Sequence, residues 1–404
     1  MRGLMKAIKD PVHGYIQVDS ALLPILDAPD VQRLRYIRQL GFSYLVYPGA
    51  HHTRFEHSLG TMHLASALSR QLNLSSEDQR LITVSGLLHD IGHGPFSHAI
   101  EGLSIELLDL HHTDIRNLLN GGSIKPELDA LGIDPGDIYD VVNGTHYLSG
   151  IIHGDLDVDR MDYLLRDAHY TGVPYGTVDA MRLIRAMRLS GKDIVLDDSG
   201  VQAAESLLIA RTLMRSSVYY HHVSRIAEKM FILAVYEFIR PDPSSLLEDI
   251  LLEDDAGCMQ ALLHSENQKV VSLVKGLYQR QLYKRALYVG REDVRETCRI
   301  SSVSILGERV LAEEIAVEAG IDPINVLVDI PKYPHDIWMG VKVQNRSGMI
   351  PLEMVSPLVT TLNETRRSQW RLGVYAPPGL TDTVYQAAKS VLGIKPPTRQ
   401  EQLL

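Results

Sequence analysis

Apolar positions recur at helical spacing through most of the first 300 residues. Between Arg54 and Leu72 they fall at Leu59, Met62, Ala65, Leu68 and Leu72, one stripe of a single helix. Ser75 or Ser76, followed by Glu77 and Asp78, starts a second helix that runs through Leu81, Val84, Leu87 and Leu88. That helix must fail near Gly92-His93-Gly94-Pro95, two glycines and a proline in four residues, so His89 and Asp90 sit on its last turn. A helix is expected from about Pro29 to Leu40, ended by Gly41, and others over 98–120, 155–169, 203–240 and within 243–300. Alternation in the second half of Ala7–Val18 reads as a strand or hairpin edge. Ile194-Val195-Leu196, followed by Asp197-Asp198-Ser199-Gly200, reads as a small hairpin. After about Ile305 the character changes. A helix over 307–319 leads to the β-rich runs Ile324–Ile330 and Met339–Val343, a helix near 355–366, the run Trp370–Tyr375 and a last helix near 382–392. The expected fold is mostly α: a multi-helix body over 1–305, with its functional core at about 50–170, and a small α+β module over 306–404.

Composition narrows the partners. In 404 residues, hydrophobic side chains make up 45% and charged ones 22%, an ordinary globular balance. The net charge of −10 argues against a general nucleic-acid or anionic-membrane binder, so an anionic substrate must be met by local cations. Glu248, Asp249, Glu253, Asp254 and Asp255 read as a solvated acidic face. Two cysteines, Cys258 and Cys298, suit a reducing compartment. The early charges Lys6, Lys9 and Asp10 do not suit a secretory leader, and no apolar run reaches the roughly 18–20 residues of a membrane span. The expected location is therefore the cytoplasm. The 17 histidines are the compositional oddity, and they cluster from His51 to His112.

That clustering carries chemistry. In His89-Asp90-Ile91-Gly92-His93-Gly94-Pro95-Phe96-Ser97-His98 an aspartate stands at a helix C-terminus, where the backbone dipole prefers cations. A bound metal would relieve that conflict. An isolated His-Asp pair would be a surface feature before a loop, but this pair has company. Upstream is Thr53-Arg54-Phe55-Glu56-His57-Ser58-Leu59-Gly60, with a histidine at a helix start. Downstream, Asp157-Val158-Asp159-Arg160-Met161-Asp162-Tyr163 sets acids into an apolar helical stretch. Two histidines and two carboxylates make a mixed nitrogen and oxygen site for one divalent ion: Mn, Fe, Co, Ni, Zn or Mg.

These motifs, with Gln32-Arg33-Leu34-Arg35-Tyr36-Ile37-Arg38-Gln39-Leu40-Gly41 and Tyr47-Pro48-Gly49-Ala50, resemble the HD-domain phosphohydrolases, most closely their deoxynucleoside triphosphate triphosphohydrolase branch. The likeness covers residues 5–240 well and the C-terminal part more loosely. It implies that His57, His89, Asp90 and Asp159 are metal ligands and that His93 is the catalytic histidine. His98 would contact phosphate and Arg54 the nucleotide. Gln39 and Asp167 would lie near the sugar hydroxyl, Tyr163 against the sugar, and Arg160 at phosphate. His111 or His112, with Glu101 as the carboxylic acid, would complete the catalytic group, although the family's usual adjacent acid is displaced here to Asp114. No segment matches the sterile-alpha-motif domain of the best-known member. Lys6, Asp27, Gln32 and Arg35 match a regulatory nucleotide site of some relatives and equally suit ion pairs of an N-terminal helix. The implied reaction converts a dNTP to deoxynucleoside and triphosphate through metal-activated water with histidine assistance, in a homo-oligomer open to a nucleotide activator. Two alternatives stand beside it: an HD-type nucleotidase or phosphodiesterase for another nucleotide, and a non-catalytic nucleotide-sensing or scaffold protein.

Overall fold

The chain begins on a hairpin. In the computed structural model, which describes residues 5–191, 193–295, 300, 303–334, 340–345 and 348–395, β1 (Met5–Asp10) pairs antiparallel with β2 (Gly14–Asp19). Gly14 closes the turn at φ +76°, a conformation open to residues without Cβ. Ile16 and Val18 turn inward and are fully buried, the period of a strand with one wet face. Cys298 and Met339 lie outside the described residues.

The helix expected over Pro29–Leu40 is shorter. Pro29–Gln32 passes into a tighter 3-10 turn, Arg33–Tyr36, and Ile37 is already extended. Tertiary bonds override propensity here: Arg33 donates to the carbonyls of His93 and Leu251, and the Ile37 carbonyl accepts from the N–H of Arg54.

Two long helices stand at the centre. α1 (Arg54–Gln71) begins with the Glu56 carboxylate accepting from the N–H of Thr53, 2.6 Å away. α2 (Ser76–Leu88) begins with Ser75 Oγ accepting from the N–H of Asp78 at 3.0 Å. Their facing sides, Met62, Ala65 and Leu68 against Ile82 and Leu88 among others, form the main core. The stretch expected as one helix over 98–120 divides: α3 (Ser97–Leu108) stops at Asp109, which is left-handed, and a short helix follows at Arg116–Gly121. α4 (Val158–Thr171) is capped by Asp157, whose Oδ1 accepts from the N–H of Arg160.

The 203–240 stretch also divides. A π-type turn, Arg215–Tyr219, separates α5 (Val201–Met214) from α6 (His222–Ile239). The hairpin read near Ile194 exists as β3 (Met187–Ser190) and β4 (Asp193–Asp197), but its turn precedes Ile194. Gly191, at φ +64°, supplies the turn, and Asp198–Gly200 is a 3-10 entry to α5.

Among the described residues of 243–300 the α-helices are α7 (Pro243–Leu252), α8 (Asp255–Leu263) and α9 (Gln268–Tyr278). The next segment, Lys284–Val289, is a strand (β5) where helix was expected. Beyond it come α10 (Ile305–Ala319), β6 (Leu327–Asp329), β7 (Lys342–Asn345), β8 (Gly348–Pro351), α11 (Leu358–Ser368), β9 (Leu372–Ala376) and α12 (Thr381–Val391). β9 lies between β5 and β6, antiparallel to both, and is buried along its whole length. β7 pairs parallel with β4, so the order β3-β4-β7-β8 joins early and late chain. Strand pairing thus crosses position 305 in the β3-β4-β7-β8 and β5-β9-β6 sheets. Buried ion pairs add to the join: Arg225 and Lys229 on α6 meet Asp329 on β6, and Lys229 meets Glu308 on α10. The fold is mostly helical with small sheets in its C-terminal half. Among the described residues no helix is long and apolar enough to cross a membrane.

Candidate metal centre

His57 lies on the first turn of α1, His89 at the C-terminal cap of α2, Asp90 one residue beyond, and Asp159 on the first turn of α4. The fold brings these four together. His57 Nε2 is 3.2 Å from His89 Nε2, 3.0 Å from Asp159 Oδ1 and 3.8 Å from Asp90 Oδ2. His89 Nε2 is 3.4 Å from Asp90 Oδ1 and 3.7 Å from Asp159 Oδ1.

The partners of the two rings set their tautomers. His57 Nδ1 donates to Asp162 Oδ2 at 2.8 Å, and His89 Nδ1 donates to the Gly86 carbonyl at 3.0 Å. With each ring neutral, each Nε2 presents a lone pair, and the two lone pairs face each other inside the protein. They repel unless a cation lies between them, and two carboxylates border the same space. Without a metal a proton takes the cation's place: burial opposes charge on His57, yet the bonds to Asp159 and Asp162 outweigh it and raise its pKa to about 10, so a metal binding Nε2 displaces that proton. Asp90 stays ionised despite burial, since His89 and Arg54 stabilise its charge. The donor set fits a divalent ion: His57, His89 and Asp90 each offer an atom within mutual reach, and Asp159 Oδ1, 3.0 Å from His57 Nε2, could add a fourth.

A second group stands beside the first. His93 Nε2 is 3.3 Å from Asp90 Oδ1, while its buried Nδ1 has no partner among the described residues. Burial, then the Arg54 charge, pushes the His93 pKa well below that of free histidine, so the ring is neutral. It stacks on His112 with centroids 4.2 Å apart, and His112 Nδ1 is hydrogen-bonded to Glu101. His98 approaches His93 edge-on at 6.1 Å. Of the two neighbouring histidines, His112 borders the cavity; His111 is exposed and does not. Gly92 permits this arrangement, because a Cβ there would meet the His112 carbonyl oxygen at 2.1 Å. Arg54 is buried and committed: it donates to Asp90 Oδ2 at 2.6 Å and through Nε and Nη2 to Ser97 Oγ at 2.9 and 2.6 Å. Ser97 and His98 are aimed by Phe96, which is left-handed at φ 44° and donates its N–H to Asp255 Oδ1.

Both groups line one cavity of about 590 Å³. Gln39, Tyr163, Asp167 and Tyr219 line it as well. Asp167 is gripped by His52 Nε2 at 2.8 Å and by the Tyr219 hydroxyl at 2.7 Å, and Gln39 Oε1 is buried without a partner among the described residues. Arg225 and Lys332 add positive charge to the wall. Arg160 does not border the cavity; its guanidinium bonds to Asp157, its own helix cap. Gln32 and Arg35 bond to each other, 2.7 Å apart, and His221 caps α6. Sequence reasoning missed His13, His52 and Ser97 as supports. Asp162, seen there only within the Asp157–Tyr163 motif, and Arg166 also support the site. The signal for those two was their spacing from Asp159, which sets Asp162 and Arg166 on one face of α4.

The HD-domain family model matches residues 54–167, and the HD associated region matches 178–403. The chain is 37% identical over 384 residues to an uncharacterized protein of Methanocaldococcus jannaschii, covering 92% of this chain and 79% of that one. It superposes on a phosphohydrolase structure from Bacteroides thetaiotaomicron with a TM-score of 0.72 at 25% identity, covering 92% of this chain and 99% of that one. It is 33% identical over 272 residues to human deoxynucleoside triphosphate triphosphohydrolase SAMHD1, covering 56% of this chain and 43% of that protein. With its His57, His89-Asp90 and Asp159 gathered at one point, the chain belongs to the HD-domain phosphohydrolases that carry an HD-associated region.

Proposed function

We propose that this enzyme hydrolyses deoxynucleoside triphosphates to deoxynucleoside and inorganic triphosphate. The observation that carries the reading is one cavity of about 590 Å³, bordered by His57, His89, Asp90 and Asp159, by His93, His98 and His112, and by Gln39, Asp167 and Tyr163. Its volume lies within the roughly 300–1,000 Å³ of small-molecule sites. The partial likeness to human SAMHD1 supports the same reading.

When bound, a divalent ion supplies positive charge to a phosphoryl oxygen and activates water. The protein supplies the rest. Water oxygen bonds to the α-phosphorus as the bond from phosphorus to the nucleoside 5′-oxygen breaks, and the attacking water's proton passes to solvent. His93 gives its proton to that leaving oxygen, directly or through water. Its ring is neutral in the free protein, and the entering polyphosphate charge favours its protonated form. Glu101 orients His112, which stacks against His93 and fixes the ring plane. Arg54 secures Asp90 and the Ser97 end of α3, which holds His98 toward phosphate. Asp167 and Gln39 take the sugar hydroxyl, and the Tyr163 ring bars a 2′-OH by steric exclusion.

Product analysis with purified protein, Mn²⁺ and each dNTP tests the reaction. Inorganic triphosphate and deoxynucleoside are expected. Orthophosphate or pyrophosphate release rejects it, and a preference for ribonucleotides or monophosphates moves the site to another nucleotide.

A further inference from the structure

The hydrogen bonds behind His57 lead away from the cavity, to the N-terminal hairpin. His13 stands in the turn between β1 and β2, and its Nε2 lies 2.6 Å from Asp162 Oδ1. Arg166 donates to both oxygens of that carboxylate, with Nε 2.9 Å from Oδ2 and Nη2 2.9 Å from Oδ1. His57 Nδ1 takes the fourth place, 2.8 Å from Oδ2. Four donors on two oxygens fill the carboxylate.

The turn is bound into the same group. Arg166 Nη1 is 2.9 Å from Asp10 Oδ2, and Asp10 Oδ1 accepts from the N–H groups of Val12 at 3.0 Å and His13 at 2.7 Å. The path from turn to His13, Asp162, Arg166, Asp10 and back to the turn is closed. None of these four side chains borders the cavity, so none touches substrate there, yet the path ends on a metal-ligating ring.

We propose that His13 is a positioning residue of the metal centre: through Asp162 it holds His57 with Nδ1 protonated and Nε2 toward the metal, which makes the N-terminal hairpin part of that centre. Arg166 alone leaves the carboxylate one strong partner from its own helix. The bond from His13 adds a partner from outside that helix, 2.6 Å from Oδ1. The effect passes to the metal through one hydrogen bond, and losing such an outer partner typically costs ten- to hundredfold in metal affinity. The inference rests on the metal-site reading above.

The test is calorimetric titration of the full chain with Mn²⁺, and visible absorption of its Co²⁺ form, for wild type, His57→Ala, His13→Leu and His13→Gln. His13→Leu is expected to raise the Mn²⁺ Kd by about tenfold or more and to change the Co²⁺ spectrum. His13→Gln keeps an N–H donor on a side chain of similar reach and is expected to recover most of the affinity. Thermal unfolding of each metal-free variant checks the fold; if His13→Leu does not fold, His13→Phe, with a ring of similar size and no donor, replaces it. A wild-type Kd and spectrum in the variant without a donor overturn the proposal, as does an equal loss in His13→Gln. No binding by the wild type overturns the metal centre itself, and this proposal with it.

Discussion

A Cβ placed on Gly60 would lie 1.7 Å from Asp162 Oδ1 and 2.5 Å from Arg166 Nη2. The bare backbone of α1 is what lets α4 bring a charged carboxylate behind His57. Gly60→Ala is therefore expected to cost about 2–3 kcal/mol of stability through overpacking, and to weaken Mn²⁺ binding. Urea unfolding and metal titration measure both, and a variant as stable as wild type would mean that Asp162 moves aside freely.

Asp255 holds two backbone N–H groups that no neighbouring turn satisfies, those of Phe96 at 2.9 Å and Arg38 at 3.0 Å. Asp255→Ala leaves both without an acceptor and releases the left-handed Phe96. The expected loss is about 2–4 kcal/mol, with Asp255→Asn costing less because its amide oxygen still accepts one. Denaturant midpoints decide; equal losses in the two variants would refute this account.

Metal should stabilise the fold measurably. At Mn²⁺ near a hundred times Kd, linkage adds about 2.7 kcal/mol, seen as a rise in Tm that EDTA reverses. His89→Ala is expected to abolish the rise. A variant that still responds to Mn²⁺ would place the ion elsewhere.

Burial works against ionisation of Glu101, but its bond to His112 prevails and lowers the carboxyl from 4.5 to about 2. A lowered carboxyl contributes stability above its unfolded pKa and loses that contribution as pH falls through its folded one. The loss is expected between about pH 4.5 and 2. Glu101→Gln should flatten the stability profile in that window and leave the slope above pH 5 alone. Matching wild-type and variant profiles would show that the pair carries no linkage.

Tyr163 borders the cavity beside Asp167 and meets Tyr219 edge-on at 6.1 Å. Tyr163→Ala is expected to raise kcat/KM for ribonucleoside triphosphates by about tenfold relative to the deoxy substrates, as a lost steric barrier of 1–2 kcal/mol would. A ratio that does not move would remove Tyr163 from sugar selection.

Local rules were enough where the chain's own side chains cap and line an element. Ser75, Asp78 and the stripe through Leu88 mark α2, and the glycines after Asp90 end it. They failed where distant partners intervened. The Pro29–Leu40 helix stops at Tyr36 because Arg33 and Ile37 bond across the fold. Lys284–Val289 is a strand because β9 lies beside it, 83 residues or more away in the chain. The π-type turn at Arg215–Tyr219 has no sequence mark, yet it brings Tyr219 to Asp167.

The sequence alone pointed to a histidine- and aspartate-bearing centre around His57, His89-Asp90 and the Asp157–Asp162 stretch, since an acid at a helix end opposes the dipole; the choice of Asp159 came from the family resemblance. The sequence also settled the mostly helical class, through the apolar period. Only the tertiary structure decided which atoms meet: that His112 rather than His111 enters the cavity, that Arg160 turns to Asp157, and that His13 reaches Asp162 across 149 positions. Directions of that kind depend on how helices pack, and packing at Gly60 and Gly92 is set by ångström-scale contacts that no one-dimensional pattern records.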